Sequence, residues 1–396
     1  LLVLTTSFPN RTNPASGVFV HRLLEHLPEG FELTILTPDT DRAEGFAQRG
    51  SLRIRPFRYA PRRWQKVAHR PGGLPVVLEG KGVLRLMLPL LFLAAAGATF
   101  FQARRVDLIH AHWAPNGVIA GLAGLLMRRP VITTLRGTDV DLANGSAFSR
   151  LMLRCCLLLN REIVAVSNDM ARRLGAWFPG RSHNIRFIPN GVEISKGPSR
   201  KANASFTLAM IGNLVPDKRV DVVIHALSRL KQSSPDARLL VVGDGPRRQS
   251  LKALVQRSGL QNQVAFLGLK KPHAVEKILQ SCDALVLASE KEGRPNVVLE
   301  AMAAGVPVVG ADIPPVRELL GHSERGLLLA TGDVEHLAAQ LIWLRGNREA
   351  ARRLARIARA WLHEQGLSWQ QTATAYASLY RKVLAQNHAR KATCAE

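Results

Sequence analysis

The sequence predicts an α/β fold made of two doubly wound domains in tandem. Short β-branched runs alternate with amphipathic stretches along the whole chain, and this series stops and restarts near the middle. A length of 396 residues is sufficient for two hydrophobic cores. A hydrophobic fraction of 46% is typical of folded proteins, which excludes a disordered basic tail, a collagen and a coiled coil.

The strand candidates fall into two groups separated by a polar segment. Residues 190–205 are rich in Gly, Ser, Asn and Lys, which indicates a linker. We expect an N-terminal Rossmann-like domain over 1–195 and a second over 196–368, with ligands at the carboxyl ends of the strands and in the cleft between the domains. The predicted strands before the linker are 1–5, 33–37, 52–57, 107–111, 131–135, 163–166 and 185–188, and those after it are 206–211, 238–242, 264–268, 284–287, 306–310 and 326–329.

Three helices are predicted to close the chain, over 334–345, 349–365 and 369–386. We expect the last of these to pack back on the N-terminal domain.

The charge predicts an anionic partner. The chain has 54 Lys and Arg against 30 Asp and Glu, a net charge of +24, which suits nucleic acid, an anionic membrane or a phosphorylated small molecule.

The 4 cysteines form no CxxC pair, so neither a zinc site nor a disulfide framework is indicated, and a reducing cytoplasm fits best. The first residues, an apolar run ending at Pro9, have the character of a first strand and not of a signal peptide.

One region of the first domain combines apolar and basic residues. The run 86–101 is apolar but shorter than the 18 or more residues expected of a membrane span, so we expect a buried or interfacial helix. Residues 53–105 carry eleven Lys and Arg against one acid, Glu79, with Phe57, Tyr59 and Trp64 among them. This stretch is either a membrane patch or an ordinary solvated basic face. A second basic run, 345–359, is expected to be a solvated helix face.

The most informative segment contains two glutamates separated by seven residues, Glu292 and Glu300. Glu292 is expected in the loop after the strand at 284–287, and Glu300 one to two turns into a helix that begins near Pro295. The free N–H groups at that helix start, around Gly293, Arg294 and Asn296, suit a diphosphate. A carboxylate just inside such a helix can accept hydrogen bonds from the two hydroxyls of a ribose, or can simply lie on its wet face.

This segment, EGRPNVVLEAMAAGVPVV at 292–309, resembles the E-x7-E signature of the retaining glycosyltransferases of family four. Other segments resemble the family in order and spacing, so that the resemblance covers nearly the whole chain. These are IHAHWAPNG at 109–117, TLRGTDVD at 134–141, VAVS at 164–167, IPNGVE at 188–193, IGNLVPDKRVD at 211–221 and VVGDGP at 241–246. The resemblance implies the GT-B arrangement of two Rossmann-like domains.

The resemblance also implies roles for individual residues. Glu300 would bind the donor ribose, Glu292 would meet hydroxyls of the transferred sugar, and Lys218 would hold the diphosphate. The phosphates would be lined by backbone from both domains, at Gly17, Gly212, Gly243 and Gly293. The rest of the expected donor site is Asn213, Arg219, Arg294, Pro295 and Asn296, and Arg136 and His112 complete the expected catalytic set.

Two positions depart from the family pattern. Asn213 stands where the family often has Arg, and Arg219, where Gly is usual, is a candidate to compensate for the missing charge. Arg136 stands where many relatives have the His that lies near the sugar, and it could instead clamp phosphate or the acceptor.

No metal site is expected. His110 and His112 alternate along a strand end, so we expect them to face different ways, one lining the cleft and the other a core or surface histidine. The D-x-D pairs Asp139/Asp141 and Asp39/Asp41 are short enough to occur by chance, and Asp139 is expected to shape its loop.

The sequence therefore predicts a retaining, metal-independent hexosyltransferase with no cofactor, whose donor is a nucleotide diphosphate sugar. The acceptor would be a saccharide or a lipid-linked saccharide in cell-envelope synthesis, with the enzyme cytoplasmic and peripheral on an anionic membrane. The alternatives are a GT-B isomerase or phosphorylase, a non-catalytic sugar-nucleotide-binding protein and a basic nucleic-acid binder, although no nucleic-acid recognition module is visible.

Overall fold

The computed structural model describes residues 1–10, 13–39, 52–65, 67–68, 77, 83–194 and 205–393. The chain divides into two compact units. The first unit contains Leu1–Asn190 together with Trp369–Glu396, and the second contains Gly191–Ser368. The last helix therefore belongs to the first unit although it follows the second in sequence. Most of the predicted linker, residues 195–204, lies outside the described residues.

The first unit is built on a parallel sheet in the order β3-β2-β1-β4-β5-β6-β7. Strands are added on one side of β1 up to β3, and from β4 onward they are added on its other side. Its inner strands are buried almost throughout, including polar residues such as His110, Thr133 and Glu162, because helices cover both faces of the sheet. The edge strand β3 instead alternates, with Arg53 and Arg55 outward. The strands are β1 (Leu2–Leu4), β2 (Leu33–Pro38), β3 (Leu52–Phe57), β4 (Ile109–His112), β5 (Val131–Leu135), β6 (Glu162–Ala165) and β7 (Ile185–Phe187).

Three neighbouring helices, α2, α3 and α5, pack side by side on one face of this sheet. Side chains alternate along β1, so Leu2 and Leu4 contact this helical layer while Val3 faces the other layer. The helices of this part of the chain are α1 (Val18–Glu25), α2 (Leu88–Ala103), α3 (Ala114–Met127), α4 (Thr138–Gly145), α5 (Ala147–Leu159) and α6 (Asn168–Trp177).

The second unit repeats the architecture with a parallel sheet in the order β10-β9-β8-β11-β12-β13. The order reverses between β8 and β11, which pair directly. Its strands are β8 (Thr207–Ile211), β9 (Arg238–Val242), β10 (Val264–Gly268), β11 (Ala284–Leu287), β12 (Val308–Ala311) and β13 (Leu327–Leu329). Its helices are α7 (Val220–Ser233), α8 (Arg248–Arg257), α9 (Pro272–Gln280), α10 (Asn296–Ala303), α11 (Pro314–Leu320), α12 (Val334–Gly346) and α13 (Arg348–Glu364).

The final helix, α14 (Trp369–Thr393), packs with α1 on the face of the first sheet opposite α2, α3 and α5. Its Tyr376 and Tyr380 are among the largest fully buried side chains of the described chain. Each of the thirteen predicted strands overlaps one of these strands, and the predicted fold class is confirmed.

The apolar run near residue 90 is longer as a helix than the sequence predicts. A helical turn over Val83–Met87 continues into α2, so that Leu84–Ala103 is long and apolar enough, by length and composition, to cross a membrane. The expectation that the run is too short to span was wrong because the turn before it adds length. One side of α2, at Leu88, Leu91 and Ala95, is nevertheless buried against the sheet.

Aromatic and basic residues of the 53–105 stretch have separate locations. Phe57 and Tyr59 are buried, while Trp64 is exposed with the Arg63 guanidinium 5.5 Å from its ring centre. Arg58 and Arg62 both pair with Asp39, at 2.7 and 3.4 Å. Three of the predicted basic residues, Lys66, Arg70 and Lys81, and the acid Glu79 lie outside the described residues, as does Asp41.

Candidate functional site

The two predicted catalytic groups of the second unit meet at the carboxyl edge of its sheet. Lys218 ends a short turn after β8, and Glu292 lies in the loop after β11. Lys218 Nζ lies 2.5 Å from Glu292 Oε1, and the two side chains are 20% and 11% exposed. Since β8 and β11 are neighbours where the strand order reverses, this is the position at which doubly wound sheets bind ligands.

A second pair of contacts ties the same two loops together. Arg219 Nη1 lies 2.5 Å from Glu290 Oε1, and the backbone N–H of Glu290 donates to the Asp217 carbonyl at 2.8 Å. Arg219 also pairs with Asp221, at 3.4 Å. Its guanidinium therefore holds carboxylates of the protein, and these hydrogen bonds raise its pKa.

Arg219 has an unusual backbone conformation, with φ of 47° and ψ of 43°. A side chain in this left-handed region costs roughly 1–2 kcal/mol relative to the right-handed helix. The ion pairs with Glu290 and Asp221 offset part of that cost.

Helix α10 starts at Asn296, directly after Pro295, which occupies the N-cap position. Glu300 is the fifth residue of the helix and is partly exposed, while its neighbours Val298, Leu299 and Ala301 are buried. The predicted placement of Glu300, one to two turns inside the helix, is confirmed.

The Arg294 side chain, just before this helix start, contacts a neighbouring helix. It is buried and donates to Glu318 of α11 at 2.9 Å. Burial lowers the pKa of the guanidinium. Arg294 therefore anchors the loop, and only its backbone remains a candidate for the predicted phosphate contact.

In the second unit, the loops that follow β8 and β9 lie against each other at Gly212 and Gly243. We call this contact the glycine crossing. Gly243 has φ of 134°, and a Cβ there would collide with the Gly212 carbonyl oxygen. The Gly212 N–H donates to the Val242 backbone carbonyl, and the Leu214 N–H donates to the Asp244 backbone carbonyl, both at 2.9 Å. Gly212 itself has open space where a Cβ would stand. The adjacent Asn213 is exposed.

A cavity of about 790 Å³ in the second unit lies elsewhere. It is lined by residues that precede strands, such as Phe206 and Asp283, and by arginines of α13 including Arg352 and Arg356. It therefore opens at the amino edge of the sheet, and neither Lys218 nor Glu292 lines it. The arginine-rich run of α13 predicted as a solvated face contributes to this cavity.

In the first unit, Arg136 joins His112 to Asn190. Arg136 Nη1 donates to Asn190 Oδ1 at 2.6 Å, and Nη2 donates to His112 Nδ1 at 3.1 Å. Its guanidinium carbon also lies 4.0 Å from the centre of the Phe19 ring. Burial lowers the pKa of Arg136 to about 10, so the group stays charged at neutral pH.

These contacts determine the tautomer of His112. Arginine can only donate, so Nδ1 must accept and the imidazole proton resides on Nε2. Burial, with His110 and Arg136 nearby, lowers the His112 pKa well below its usual value. Within the described residues, Nε2 has no hydrogen-bond partner.

His110 and His112 face the same side of the sheet, contrary to the sequence expectation. Their ring centres are 4.4 Å apart and both side chains are buried. Residues two apart on a strand share a face because side chains alternate with every residue, so the expectation misapplied that rule. His110 contacts the Tyr380 hydroxyl through Nδ1 and Thr134 Oγ1 through Nε2, both at 2.8 Å. Burial lowers the His110 pKa to about 3.

Asp139 shapes its loop, as predicted. One carboxylate oxygen accepts the Ala114 N–H at 2.9 Å and the other accepts the Arg136 N–H at 3.0 Å. Its neighbour Asp141 pairs with Arg173 at 3.2 Å. Among the residues that the structure describes, no group of three His, Cys, Asp or Glu side chains could hold a metal ion.

Gly17 precedes α1 in the loop region that follows β1, with φ of 61°. A Cβ at this position would collide with the Ser7 carbonyl oxygen, so the loop requires glycine.

Known proteins resemble this chain in both halves. Residues 16–196 match the model of Glycosyltransferase Family 4, and residues 192–361 match that of Glycosyl transferases group 1. N-acetyl-alpha-D-glucosaminyl L-malate synthase of Bacillus anthracis is 30% identical over 306 residues, which are 74% of this chain and 79% of the relative. The chain belongs to glycosyltransferase family 4.

Other relatives of this glycosyltransferase extend over more of its length. The putative teichuronic acid biosynthesis glycosyltransferase TuaC of Bacillus subtilis is 27% identical over 367 residues, covering 83% of this chain and 85% of TuaC. Among solved structures, Anabaena HepE in complex with UDP and glucose has a TM-score of 0.75 at 20% identity, over 96% of this chain and 99% of HepE. The glycosyltransferase thus has the GT-B fold.

Sequence reasoning missed several residues of these clusters. Glu290 lies two positions before Glu292 and could have been found as the acid beside the motif. Asn190 lies within the IPNGVE segment. Phe19, Tyr376 and Tyr380 carry no local signal, because their partners are far away in sequence.

Proposed function

We propose that this glycosyltransferase moves a hexose from a nucleotide diphosphate sugar to a saccharide or lipid-linked acceptor, with retention of anomeric configuration. We place the reaction in the synthesis of cell-envelope polysaccharide or glycolipid. The observation that carries the proposal is the Lys218–Glu292 pair, 2.5 Å apart at the carboxyl edge of β8 and β11, with Glu300 in the helix that follows.

Lys218 is suited to the donor diphosphate. An ammonium group has three donors, and Glu292 uses one of them, so the others can bind phosphate oxygens. As the bond between the sugar and the diphosphate breaks, negative charge develops on the leaving phosphate. A cation already held in place by Glu292 stabilises that charge without having to be ordered during the reaction.

The remaining donor contacts come from α10 and the glycine crossing. Glu300 accepts hydrogen bonds from the ribose hydroxyls, and Glu292 accepts from hydroxyls of the transferred sugar. Gly293 offers its backbone N–H group to the phosphates, and the open space beside Gly212 lets them approach the backbone of the loop after β8. With Lys218 and the helix start supplying positive charge, the proposed mechanism uses no divalent metal and no further cofactor.

In the first unit, Arg136 and His112 are proposed to contact the sugar or the acceptor. Arg136 orients His112 by donating to Nδ1, which leaves the Nε2–H group as the donor. Asn190 and Phe19 hold the guanidinium in this orientation.

Two relatives support the donor class and the setting. HepE was solved with UDP and with UDP-glucose, and TuaC is named for teichuronic acid biosynthesis. A nucleoside diphosphate sugar and a cell-envelope polymer are therefore the first choices for this chain.

A thermal-shift panel of nucleotide diphosphate sugars tests the donor. A true donor at a hundred times its dissociation constant adds about 2.7 kcal/mol of stability, and one member of the panel should stand out. Incubation of that donor with candidate saccharide and lipid-linked acceptors should then yield a glycosylated product with the anomeric configuration of the donor. Full transfer activity and donor affinity in Glu300→Ala would contradict the proposed site.

A further inference from the structure

The first unit has an apolar surface formed by helices α2, α3 and α5. On α2 and the helical turn that precedes it, the exposed residues Leu86, Leu90, Leu93 and Phe101 recur at helical spacing along the side opposite the sheet. Only 22% of the most apolar 18-residue window within Leu84–Ala103 is buried, whereas a core helix would be mostly buried. A soluble helix normally presents polar residues on this side.

The surface continues across the two neighbouring helices. Leu122, Leu125 and Leu126 are exposed on α3, and Phe148, Leu151 and Leu158 are exposed on α5. Because α3 packs between α2 and α5 on the same face of the sheet, the three apolar stripes are adjacent. We call this surface the apolar face. Exposed apolar patches built from many large side chains mark binding surfaces.

The charged side chains on these three helices and those directly flanking α2 are positive, and the nearby Asp107 is paired with Arg129 at 3.5 Å. The three helices contain no Asp or Glu, while Arg85 precedes α2, Arg104 and Arg105 follow it, and Arg150 and Arg154 lie on α5. All five arginines are exposed. The guanidinium groups of Arg104 and Arg105 lie 5.0 and 5.1 Å from the ring centres of Phe100 and Phe101.

A basic cavity of about 420 Å³ adjoins the apolar face. Arg181, which lines the cavity, donates to the Leu158 carbonyl of α5 at 2.6 Å, so the cavity borders one end of the face. Arg161, Arg186, Lys382 and Arg390 also line it. Its acidic lining residue, Glu162, is already paired with Arg186 at 2.9 Å.

We propose that the apolar face docks this glycosyltransferase on an anionic lipid bilayer, with its large apolar side chains among the acyl chains and the surrounding arginines at the lipid phosphates. Binding of a protein partner does not need a surface that lacks carboxylates, and it does not need a basic border. An interfacial protein surface requires both, because burial of apolar area and attraction to anionic headgroups add together. The inference concerns the first unit and does not depend on the donor site.

Helix α2 lies on the membrane in this proposal and does not cross it. Its other side, at Leu88, Leu91 and Ala95, is packed against the sheet and is not available to lipid. The docking surface also differs from the basic stretch 53–105, of which only the part from Arg85 to Arg105 contributes.

Co-sedimentation of the full chain with lipid vesicles tests the proposal. We expect binding to vesicles of phosphatidylglycerol and phosphatidylcholine, and binding at least about tenfold weaker to phosphatidylcholine alone. The triple variant Leu93→Ser/Leu125→Ser/Leu151→Ser should bind at least about tenfold more weakly to both. Arg104→Gln/Arg105→Gln/Arg154→Gln should lose the preference for anionic vesicles. As a matched control, Ile342→Ser/Ile357→Ser removes exposed apolar groups from α12 and α13 of the second unit and should bind like the unmodified chain.

Amide hydrogen exchange on the unmodified chain provides a second measurement that needs no variant. Vesicles should slow exchange in α2, α3 and α5 and leave α12 and α13 unchanged. Absence of vesicle binding, equal binding by the leucine triple variant, or protection elsewhere would overturn the proposal. So would a dimer of the unmodified chain that the leucine variant dissociates, because the face would then bind a second copy. Calorimetric titration with the nucleotide sugar separates these results from failure of the donor site, which the leucine substitutions should leave intact.

Discussion

Lys218 and Glu292 are 74 residues apart in sequence, yet their side chains meet at 2.5 Å. The contact exists because β8 and β11, which precede them, are neighbours in the sheet although two strands and three helices separate them in the chain. Both groups are mostly shielded from water, so each depends on the other for compensation of its charge.

Loss of Lys218 should destabilise the second unit. Lys218→Met leaves Glu292 shielded without its cation, and we expect the free energy of unfolding to fall by about 1–3 kcal/mol. Lys218→Met/Glu292→Gln should recover part of this loss, because no unpaired charge remains. Urea unfolding of the wild type, both single variants and the double variant gives the coupling energy. A coupling energy near zero would show that the pair contributes nothing to stability.

The two glycines of the crossing should respond differently to substitution. Gly243→Ala places a methyl group against the Gly212 carbonyl at a positive φ, so we expect a loss of about 2 kcal/mol or more in the free energy of unfolding. Gly212→Ala places the methyl group in open space and should change stability by less than about 1 kcal/mol. Thermal melts compare the two variants. Equal destabilisation would contradict the observed geometry.

Gly212→Ala also tests the donor site. If backbone at Gly212 lines the phosphates, the added methyl group should weaken nucleotide-sugar binding while the fold is preserved. Unchanged affinity would place the phosphates elsewhere.

Acid should weaken the first unit through its buried histidines. The His110 pKa is about 3 when folded, below its ordinary value of 6.5, and that of His112 is also lowered. Between pH 3 and pH 6.5 the unfolded chain binds more protons at these histidines than the folded chain does. Their contribution to the free energy of unfolding is therefore fully present above pH 6.5 and is lost as the pH falls toward 3. Each histidine contributes a slope of up to about 1.4 kcal/mol per pH unit.

His110→Gln isolates this contribution, since Asp139, whose pKa is raised by burial, acts in the opposite direction. Melting temperatures at pH 7.5 and pH 5 should differ less for the variant than for the wild type. An identical pH response of the two proteins would exclude His110 as a cause.

The sequence predicted each strand of the described residues because parallel strands covered on both faces are short runs rich in apolar residues. It also placed Glu292 in a loop and Glu300 in a helix, because Pro295 indicates where that helix starts. Local pattern therefore determined the elements and the approximate position of the second-unit motif.

Contacts between distant segments could not be predicted from the local sequence pattern. Tyr380 reaches His110 across 270 residues, and Arg136 reaches Asn190 across 54. Arg294 is a charged residue in a motif loop, and nothing local shows that Glu318 draws its side chain inward. The apolar face was likewise hidden, since the exposed sides of α3 and α5 depend on which helices cover the sheet.

The dissociation constant of the donor identified by the thermal-shift panel, measured by calorimetry, tests the proposed donor site most directly. Lys218→Met and Glu300→Gln should each weaken binding by about tenfold to a hundredfold. The first removes a charged donor to the phosphates, and the second replaces a charged carboxylate with a neutral amide that has one acceptor oxygen for two ribose hydroxyls. Lys231→Met, which removes a lysine of α7 that donates to the Gly259 carbonyl at 2.9 Å, should bind like the wild type. Donor affinity unchanged in both Lys218→Met and Glu300→Gln would contradict the assignment of the donor site to the second unit.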